Sequence, residues 1–185
     1  ASRESSLTVF EMREGIPDHW DYFGQRGHRM HKPGSLCFSP DQTQLYVCEK
    51  EMGGVWVLPV TWVSDKPKLR LGTAQNFFVL ESGAANGVCV DTHGWVYFAT
   101  HSGVDVCDQA GRVNFILPTP KPALDVCFGG KDLSELFIAC GDTIYKRPTH
   151  AKGVVSGQQP PIKPPAPKLD EVPPTERACI HRLQE

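Results

Sequence analysis

The chain of 185 residues is 40% hydrophobic and 22% charged, a composition typical of one soluble globular domain. Its formal net charge of −2 excludes the basic surface that binding to nucleic acid or to an anionic membrane requires. No apolar run approaches the roughly 20 residues of a membrane-spanning helix, so no transmembrane segment is predicted. The chain starts at Ala1 rather than Met, which is consistent with removal of an N-terminal segment.

Residues 1–32 are predicted to contain one edge strand and a long loop. The strand SLTVFEM, from Ser6 to Met12, suits the outer strand of a preceding sheet. The following stretch, REGIPDHWDYFGQRGHRMHKPG, shows neither helical nor strand periodicity. We expect a surface loop there, and loops of this length are often functional.

A four-stranded unit is predicted from Ser35 to Glu81. Its strands are rich in β-branched and aromatic residues and read LCFS, QLYVCEK, GVWVLPVTWV and AQNFFVLES. Glu49 to Glu51 is predicted to be a solvated turn. The segment VSDKPKLRLGT is predicted to be a polar connection before the last strand.

A second, more compact unit is predicted from Asn86 to Pro118, with strands GVCVD, WVYFAT, GVDVCD and RVNFIL. Thr92-His93-Gly94 supplies its first hairpin turn. A third unit, from Leu124 to Arg147, has strands DVCF, ELFIAC and TIYKR and lacks a fourth strand.

One pattern recurs in the three units: a Cys-centred strand, a polar turn and an aromatic-led second strand. The matching cysteines, Cys37, Cys89 and Cys127, lie 52 and then 38 residues apart. Hairpin repeats at this period are typical of a β-propeller with four strands per blade. The sequence therefore predicts an all-β fold, a partial propeller of about two to three four-stranded blades over residues 33–150.

Residues 151–185 are predicted to form an extended tail. This segment is dense in proline and poor in large apolar residues, so it favours a polyproline conformation and cannot build a core. We expect the tail to lie against another protein chain, because free tails are usually disordered.

The seven cysteines do not fit a disulfide framework. Cys37, Cys89 and Cys127 recur at equivalent strand positions, which suits small buried apolar residues better than bridges. The chain has no C-x-x-C pair, so a structural zinc site is not predicted. A reducing compartment is therefore expected, either the cytosol or an organelle stroma or matrix.

Three stretches resemble elements of one family in the same order: LCFSPDQTQLYVCE, ANGVCVDTHGWVYFATHSGVDVCDQAGRV and ALDVCFGGKDLSELFIACGDTIYK. The family is that of senescence marker protein and gluconolactonase, which includes regucalcin and luciferin-regenerating proteins. The resemblance covers Pro33 to Arg147. It implies a gluconolactonase-type six-bladed propeller with one divalent cation, commonly calcium, at its axis, and hydrolysis of lactones or related esters.

Carried over residue by residue, the resemblance leaves few ligands. The family's first Asn falls on Gly34, and its Asp, a metal ligand and base, falls on Asn86, which cannot take a proton. Asp125 falls where the family has Asn. The candidate metal ligands are therefore Asn86 and Asp125, although Asn86-Gly87 also suits a turn and Asp125 a strand cap.

The candidate catalytic residues are Asn86 and His101, the latter at a strand end where it could touch a substrate or be an ordinary loop residue. Two functions stay open. The preferred one is a degenerate, non-catalytic propeller subunit that binds other protein chains through its blade faces and tail. The alternative is a calcium-dependent lactone or ester hydrolase whose N-terminal half lies outside this chain.

Overall fold

The computed structural model describes residues 7–13, 16–22, 32–50, 54–63, 68–71, 75–80, 83–155, 158 and 160–166. Within these ranges the regular structure is entirely β, in antiparallel sheets, as the repeat predicts. In chain order the strands are β1 (Leu7–Arg13), β2 (Ile16–Tyr22), β3 (Pro33–Phe38), β4 (Gln44–Glu49), β5 (Gly54–Val63), β6 (Lys68–Leu71), β7 (Gln75–Val79), β8 (Gly87–Val90), β9 (Val96–Thr100), β10 (Gly103–Cys107), β11 (Val113–Pro118), β12 (Ala123–Gly129), β13 (Glu135–Cys140) and β14 (Thr143–Pro148).

The second predicted unit forms a sheet of four consecutive strands in the order β11-β10-β9-β8. Every residue of its two central strands is buried, because these strands have a neighbour on each edge and side chains packed on each face. The third unit forms the sheet β12-β13-β14 without a fourth strand, as predicted. Both sheets confirm the propeller-type blades.

The first unit is larger than predicted. Strands β3, β4, β5 and β7 pair as expected, but Lys68–Leu71, predicted to be a polar connection, forms strand β6. Strand β5 is ten residues long, so Gly54 to Val57 pairs with β7 and Val60 to Val63 pairs with β6. The alternation of Leu with charged residues in KLRL is the period-2 signal that a short strand requires.

A second correction concerns the N-terminal loop. Ile16–Tyr22, inside the stretch predicted to be a loop, forms β2 and pairs with β1 from Leu7 opposite Tyr22 to Arg13 opposite Ile16. The run contains Pro17 and two Asp residues, which are depleted in strands. Antiparallel pairing with the adjacent strand outweighs this weak propensity.

Two hydrophobic cores hold the three larger sheets together. The first lies between the first and second sheets and includes Tyr46, Val55 and Phe98; the second lies between the second and third sheets and includes Tyr97, Val104 and Leu136. Tyr97 meets Phe128 edge-to-face across the second core, with ring centroids 5.0 Å apart. Each large side chain buried in this way contributes about 1.5–3 kcal/mol.

Two of the three repeated cysteines face the following sheet, and the third lies on the outer face of the third sheet. Cys37 packs against the first core and Cys89 against the second, each half-buried, but Cys127 is exposed. The prediction that the repeated cysteines are buried is therefore wrong for Cys127. The physical reason is that, within the described residues, no sheet covers the outer face of β12–β14.

The outer face of the third sheet is partly apolar. Leu124 is half-exposed, and Ile144, which pairs with Ala139, is 71% exposed. Tyr145 pairs with Ile138 of the second core and so lies on the other face of the sheet. After β14, residues 151–155, 158 and 160–166 lie against sheets of the same chain. Residues 167–185 of the predicted tail lie outside the described residues, so contact between the tail and another chain stays a prediction.

Candidate functional site

The strand-start rim is the end of the three sheets at which β3, β8 and β12 begin; we define it by Gly34, Asn86 and Asp125. Asn86 immediately precedes β8. Asp125 lies in β12 beside a register shift that follows Ala123. Bulges of this kind re-aim a side chain, and this one turns Asp125 towards the neighbouring sheet.

Asn86 connects the second and third sheets. Its backbone N–H donates to the carbonyl of Ala99 at 2.8 Å, which extends the β8–β9 ladder by one residue. Its side-chain Nδ2 donates to the carbonyl of Ala123 at 3.2 Å. The amide nitrogen is therefore committed to β12, and the half-buried side chain is held in one orientation.

Asp125 is exposed, and its carboxylate lies directly against the backbone of Gly87. A Cβ atom on residue 87 would collide with Asp125 Oδ1 and come within 2.9 Å of Asp125 Cα. Oδ1 also accepts the Val126 N–H at 2.9 Å. The structure thus brings Asp125 and the Asn86-Gly87 pair together, which the sequence indicated only by analogy.

The third rim position is occupied by a lysine chain. At Gly34, an ideal Cβ would lie 2.7 Å from Cε of Lys50, so the alkyl chain of Lys50 crosses the place where the resembling family carries a ligand side chain. Lys50 and Asp125 both act electrostatically on the Cys48 thiol, whose pKa is raised to about 12, mainly by burial. At this end of the sheets the Lys50 ammonium group is therefore a cation near the exposed carboxylate of Asp125.

Glu49 is a rim residue that the sequence interpretation missed. It is only 1% exposed, so the prediction that it belongs to a solvated turn is wrong. Its Oε1 accepts the backbone N–H of Lys32 at 2.6 Å, which ties the end of β4 to the residue before β3. The available signal was its place at the end of an apolar strand rather than in the glycine-rich turn that follows.

His101 lies in the exposed turn between β9 and β10. This turn is at the same end of the second sheet as Asn86, but it joins β9 to β10, whereas Asn86 precedes β8. The structure therefore does not bring His101 into the contact that joins Gly87 and Asp125.

Calcium, which the family resemblance implies, can be tested against these residues. A calcium ion takes about six to eight oxygen ligands, with carboxylates supplying much of the affinity. Asn86 and Asp125 offer one amide oxygen and one carboxylate, and Lys50 adds a positive charge beside Gly34. The other rim carboxylate, Glu49, is buried and accepts the backbone N–H of Lys32. In the described part of the chain no group of three or more His, Cys, Asp or Glu side chains is arranged to hold a metal ion. These residues do not fit a calcium site.

A buried carboxylate lies at the opposite end of the second sheet. Asp91 is fully buried; its Oδ1 accepts the N–H groups of His93 and Trp95, both at 2.9 Å, and its Oδ2 accepts the Tyr97 hydroxyl at 3.0 Å. Burial raises the pKa of Asp91 to about 6, partly offset by these hydrogen bonds. The sequence treated this residue as the end of a strand, and its role is to fix the β8–β9 turn.

Residues 25–141 match the family model described as SMP-30/Gluconolactonase/LRE-like region. The lactonohydrolase oryH of Aspergillus oryzae is 29% identical in an alignment of 129 positions that covers 59% of this chain and 28% of that protein. Among the residues that the structure describes, no helix is long and apolar enough to cross a membrane.

Solved structures show the same fold. A gluconolactonase of Xanthomonas campestris is 26% identical with a TM-score of 0.55, and the match covers 80% of this chain and 54% of that one. A regucalcin of Agrobacterium tumefaciens, described as a calcium-binding protein, is 24% identical with a TM-score of 0.56 over 71% of this chain and 43% of that one. The chain spans about half or less of the length of each of these relatives.

Proposed function

Because this chain belongs to the SMP-30/gluconolactonase/LRE-like family, we propose that it is a gluconolactonase-like propeller protein that does not carry out metal-dependent lactone hydrolysis. The observation that carries the proposal is the state of Asn86. Its Nδ2 donates to Ala123, and a side-chain amide can neither take a proton nor supply the charge of a carboxylate ligand. The position that resembles the family's base is therefore built as a structural link between two sheets.

The positive charge of Lys50, beside Gly34, supports the same proposal. A hard divalent cation is attracted by carboxylates and repelled by an ammonium group. Here Lys50 crosses the Gly34 position on a rim where Asp125 is the carboxylate next to Asn86. Lys50 offsets the charge of Asp125, and the remaining rim carboxylate, Glu49, is buried with its Oε1 bonded to the backbone N–H of Lys32.

The proposed role is that of an interaction subunit. In the described residues each sheet buries its Cys-bearing face against the next sheet, at Cys37 and again at Cys89. The equivalent face at Cys127 is exposed, with Ile144 on β14, the edge strand of the same sheet. A face shaped like two established interfaces is suited to receive another apolar β-sheet. We propose that this sheet comes from another chain.

A lactone hydrolase is the second candidate, and the likeness to a lactonohydrolase and a gluconolactonase favours it. Asn86 and Asp125 share one rim, as ligands in a propeller must. The remaining oxygen ligands would then come from outside the described residues, because those described supply too few.

Hydrolysis of gluconolactone by the purified chain, followed by acid release in CaCl₂ or in EGTA, separates the two candidates. We expect a rate equal to that of buffer in both conditions, and no heat of calcium binding by calorimetry. Turnover that EGTA abolishes and that Asn86→Ala impairs would establish the hydrolase instead. Asn114→Ala, an exposed position towards the opposite end of the second sheet, is the matched control for Asn86→Ala.

A further inference from the structure

The segment after β14 lies at the opposite end of the sheets from the strand-start rim. This end carries the first hairpin turn of each larger sheet, at residues 40–43, 92–94 and 131–134, and we call it the turn surface. We call residues 151–166 the strap. The described part of the strap contacts all three sheets.

The strap first joins the third and second sheets. The Gly153 N–H donates to the carbonyl of Leu133 at 2.8 Å, and Gly153 forms an antiparallel bridge with Asp91. Ala151 is fully buried. A Cβ on residue 153 would collide with the side chain of Phe128, so the backbone of the strap packs directly on β12. This part of the strap is as closely packed as a strand within a sheet.

The strap then reaches the first sheet. The side-chain Nε2 of Gln42 donates to the carbonyl of Gln158 at 2.6 Å. The N–H of Ile162 donates to the carbonyl of Pro40 at 2.8 Å. These two bonds run in opposite directions between the same two segments, which fixes how the strap lies along the turn.

A third contact returns to the second sheet. Nε2 of Gln109 donates to the carbonyl of Pro165 at 2.9 Å and to the carbonyl of His93 at 2.6 Å. The side chain of Gln109 crosses Gly94, where an ideal Cβ would lie 2.9 Å from its Cγ. One glutamine therefore connects the turn of its own sheet to the strap.

The backbone of the turn surface supports a specific role for these contacts. Among the described residues, Gln42 and Leu133 are the non-glycine residues with positive φ, at 57° and 59°. This region disfavours residues with a side chain, and turns normally use Gly, Asn or Asp there. Both residues contact the strap, Gln42 through its side chain and Leu133 through its carbonyl. A glycine at residue 42 would relieve the backbone and lose the contact.

The chemistry of the strap matches the donors that face it. Pro160, Pro161, Pro164 and Pro165 have no N–H, so they favour an extended backbone and cannot donate to the carbonyls around them. Gln42 and Gln109 supply side-chain amide donors to two of these carbonyls. Docking of a preformed, extended proline-rich segment is a recognised mode of peptide binding.

We propose that the turn surface is a binding surface for a proline-rich extended segment, occupied in cis by the strap. Gln42 and Gln109 bind the strap carbonyls, and the carbonyl of Pro40 accepts the N–H of Ile162, which lies between two proline pairs. The strap thereby connects all three sheets, whereas each of the two hydrophobic cores joins two neighbouring sheets.

Hydrogen exchange of the Ile162 amide in the full-length protein tests the bound state. We expect exchange at least about tenfold slower than in a synthetic peptide of residues 157–167, because the amide is bonded to Pro40 only when the strap is docked. Gln42→Ala and Gln109→Ala should each speed this exchange. Asn114→Ala is the control, since its side chain donates to Arg112 and not to the strap. Exchange at the peptide's rate in the unaltered protein would overturn the proposal.

A labelled peptide of residues 157–167 tests recognition itself. In a variant of the 185-residue chain that carries Pro160→Ser, Pro161→Ser, Pro164→Ser and Pro165→Ser, the strap loses its preference for the extended polyproline conformation and leaves the turn surface free. Fluorescence anisotropy should show the peptide binding this variant at least about tenfold more tightly than the unaltered protein, whose own strap competes at high effective concentration. Adding Gln42→Ala to the variant should weaken binding. The proposal would be contradicted if the peptide bound the variant and the unaltered protein with equal affinity. It would also be contradicted if the peptide did not bind a variant whose β8–β11 amides remain protected from hydrogen exchange.

Discussion

The carboxylate of Asp125 lies against the Cα of Gly87, so two adjacent sheets meet at the strand-start rim with no room for a methyl group between them. The contact joins the residue after Asn86 to a bulge in β12. Glycine is required here by space rather than by an unusual backbone angle. The close approach of the second and third sheets at this rim therefore requires that residue 87 has no side chain.

Gly87→Ala should destabilise the protein by about 1–3 kcal/mol, since the new methyl meets backbone of β12 as well as the Asp125 carboxylate. Gly34→Ala is the matched substitution, because its methyl meets only the flexible end of Lys50. We expect it to cost less than about 0.5 kcal/mol. Urea denaturation of both variants gives the comparison, and equal losses would contradict the packing described at Gly87.

Asp91 should make stability fall as pH rises from about 4 to about 6. Its pKa is raised to about 6 in the folded state, against about 3.9 in an unfolded chain, so the folded protein binds the extra proton in this interval. The effect amounts to at most about 3 kcal/mol. The difference in unfolding free energy between the unaltered protein and Asp91→Asn, measured across pH 4–8, should decrease as pH rises.

Asp108 provides a control of opposite sign. Burial opposes its ionisation, but hydrogen bonds from Arg112, Asn114 and Ala110 together lower its pKa. The Arg112 guanidinium lies 2.6 Å from Asp108 Oδ2. This carboxylate stabilises the fold above its unfolded pKa, and the contribution is lost as pH falls through the folded value. The corresponding difference for Asp108→Asn should therefore increase as pH rises in the acid range.

Cys127 should be alkylated by iodoacetamide before the other described cysteines. Burial raises the pKa of Cys37 to about 11 and that of Cys48 to about 12, which leaves almost no thiolate at pH 8. Cys127 is exposed, and its pKa is raised by partial burial and by Asp125. Asp125→Asn should therefore speed its labelling further. Peptide mapping by mass spectrometry gives the order, and labelling of Cys48 at the rate of Cys127 would contradict it.

The exposed face of the third sheet should drive self-association of the purified chain, because a second copy is the only other chain in that experiment. Ile144 is 71% exposed beside the apolar face of β13. Light scattering after size exclusion should show a mass above the 20.5 kDa of one chain, and Ile144→Lys should return it to that value. Thr143→Lys, at the next position of the same strand, controls for added charge. A monomer at all concentrations would exclude this face as an interface between copies.

The sequence predicted the three larger sheets because each begins with a repeated Cys-centred hairpin whose apolar residues alternate. Strands β2 and β6 escaped this reasoning: β2 contains Pro17, and β6 is four residues long within a charged stretch. Their formation depends on pairing with a neighbouring strand, which a local pattern does not encode. Glu49 was wrongly predicted to be solvated for a related reason. Whether a charged side chain is buried depends on which other parts of the chain pack over it.

At the site, the resemblance located Asn86 and Asp125, while the contact of Lys50 with Gly34 came only from the structure. Lys50 lies 16 residues after Gly34 in the chain, and the pairing of β3 with β4 places it beside Pro33 and Gly34. Proline content predicted that the tail is extended. It gave no indication that Gln42 and Gln109 bind it, because isolated glutamines in turns carry no pattern.

The contact between Gln42 and Gln158 joins residues 116 positions apart, whereas every sheet is built from strands that are consecutive in the chain. Contacts between distant residues carry the greater loop-closure entropy and form late in folding. Each sheet can therefore form from its own stretch as soon as that stretch is available. The strap has no binding surface until the turns of all three sheets exist, so we expect its docking to follow the formation of these sheets during folding.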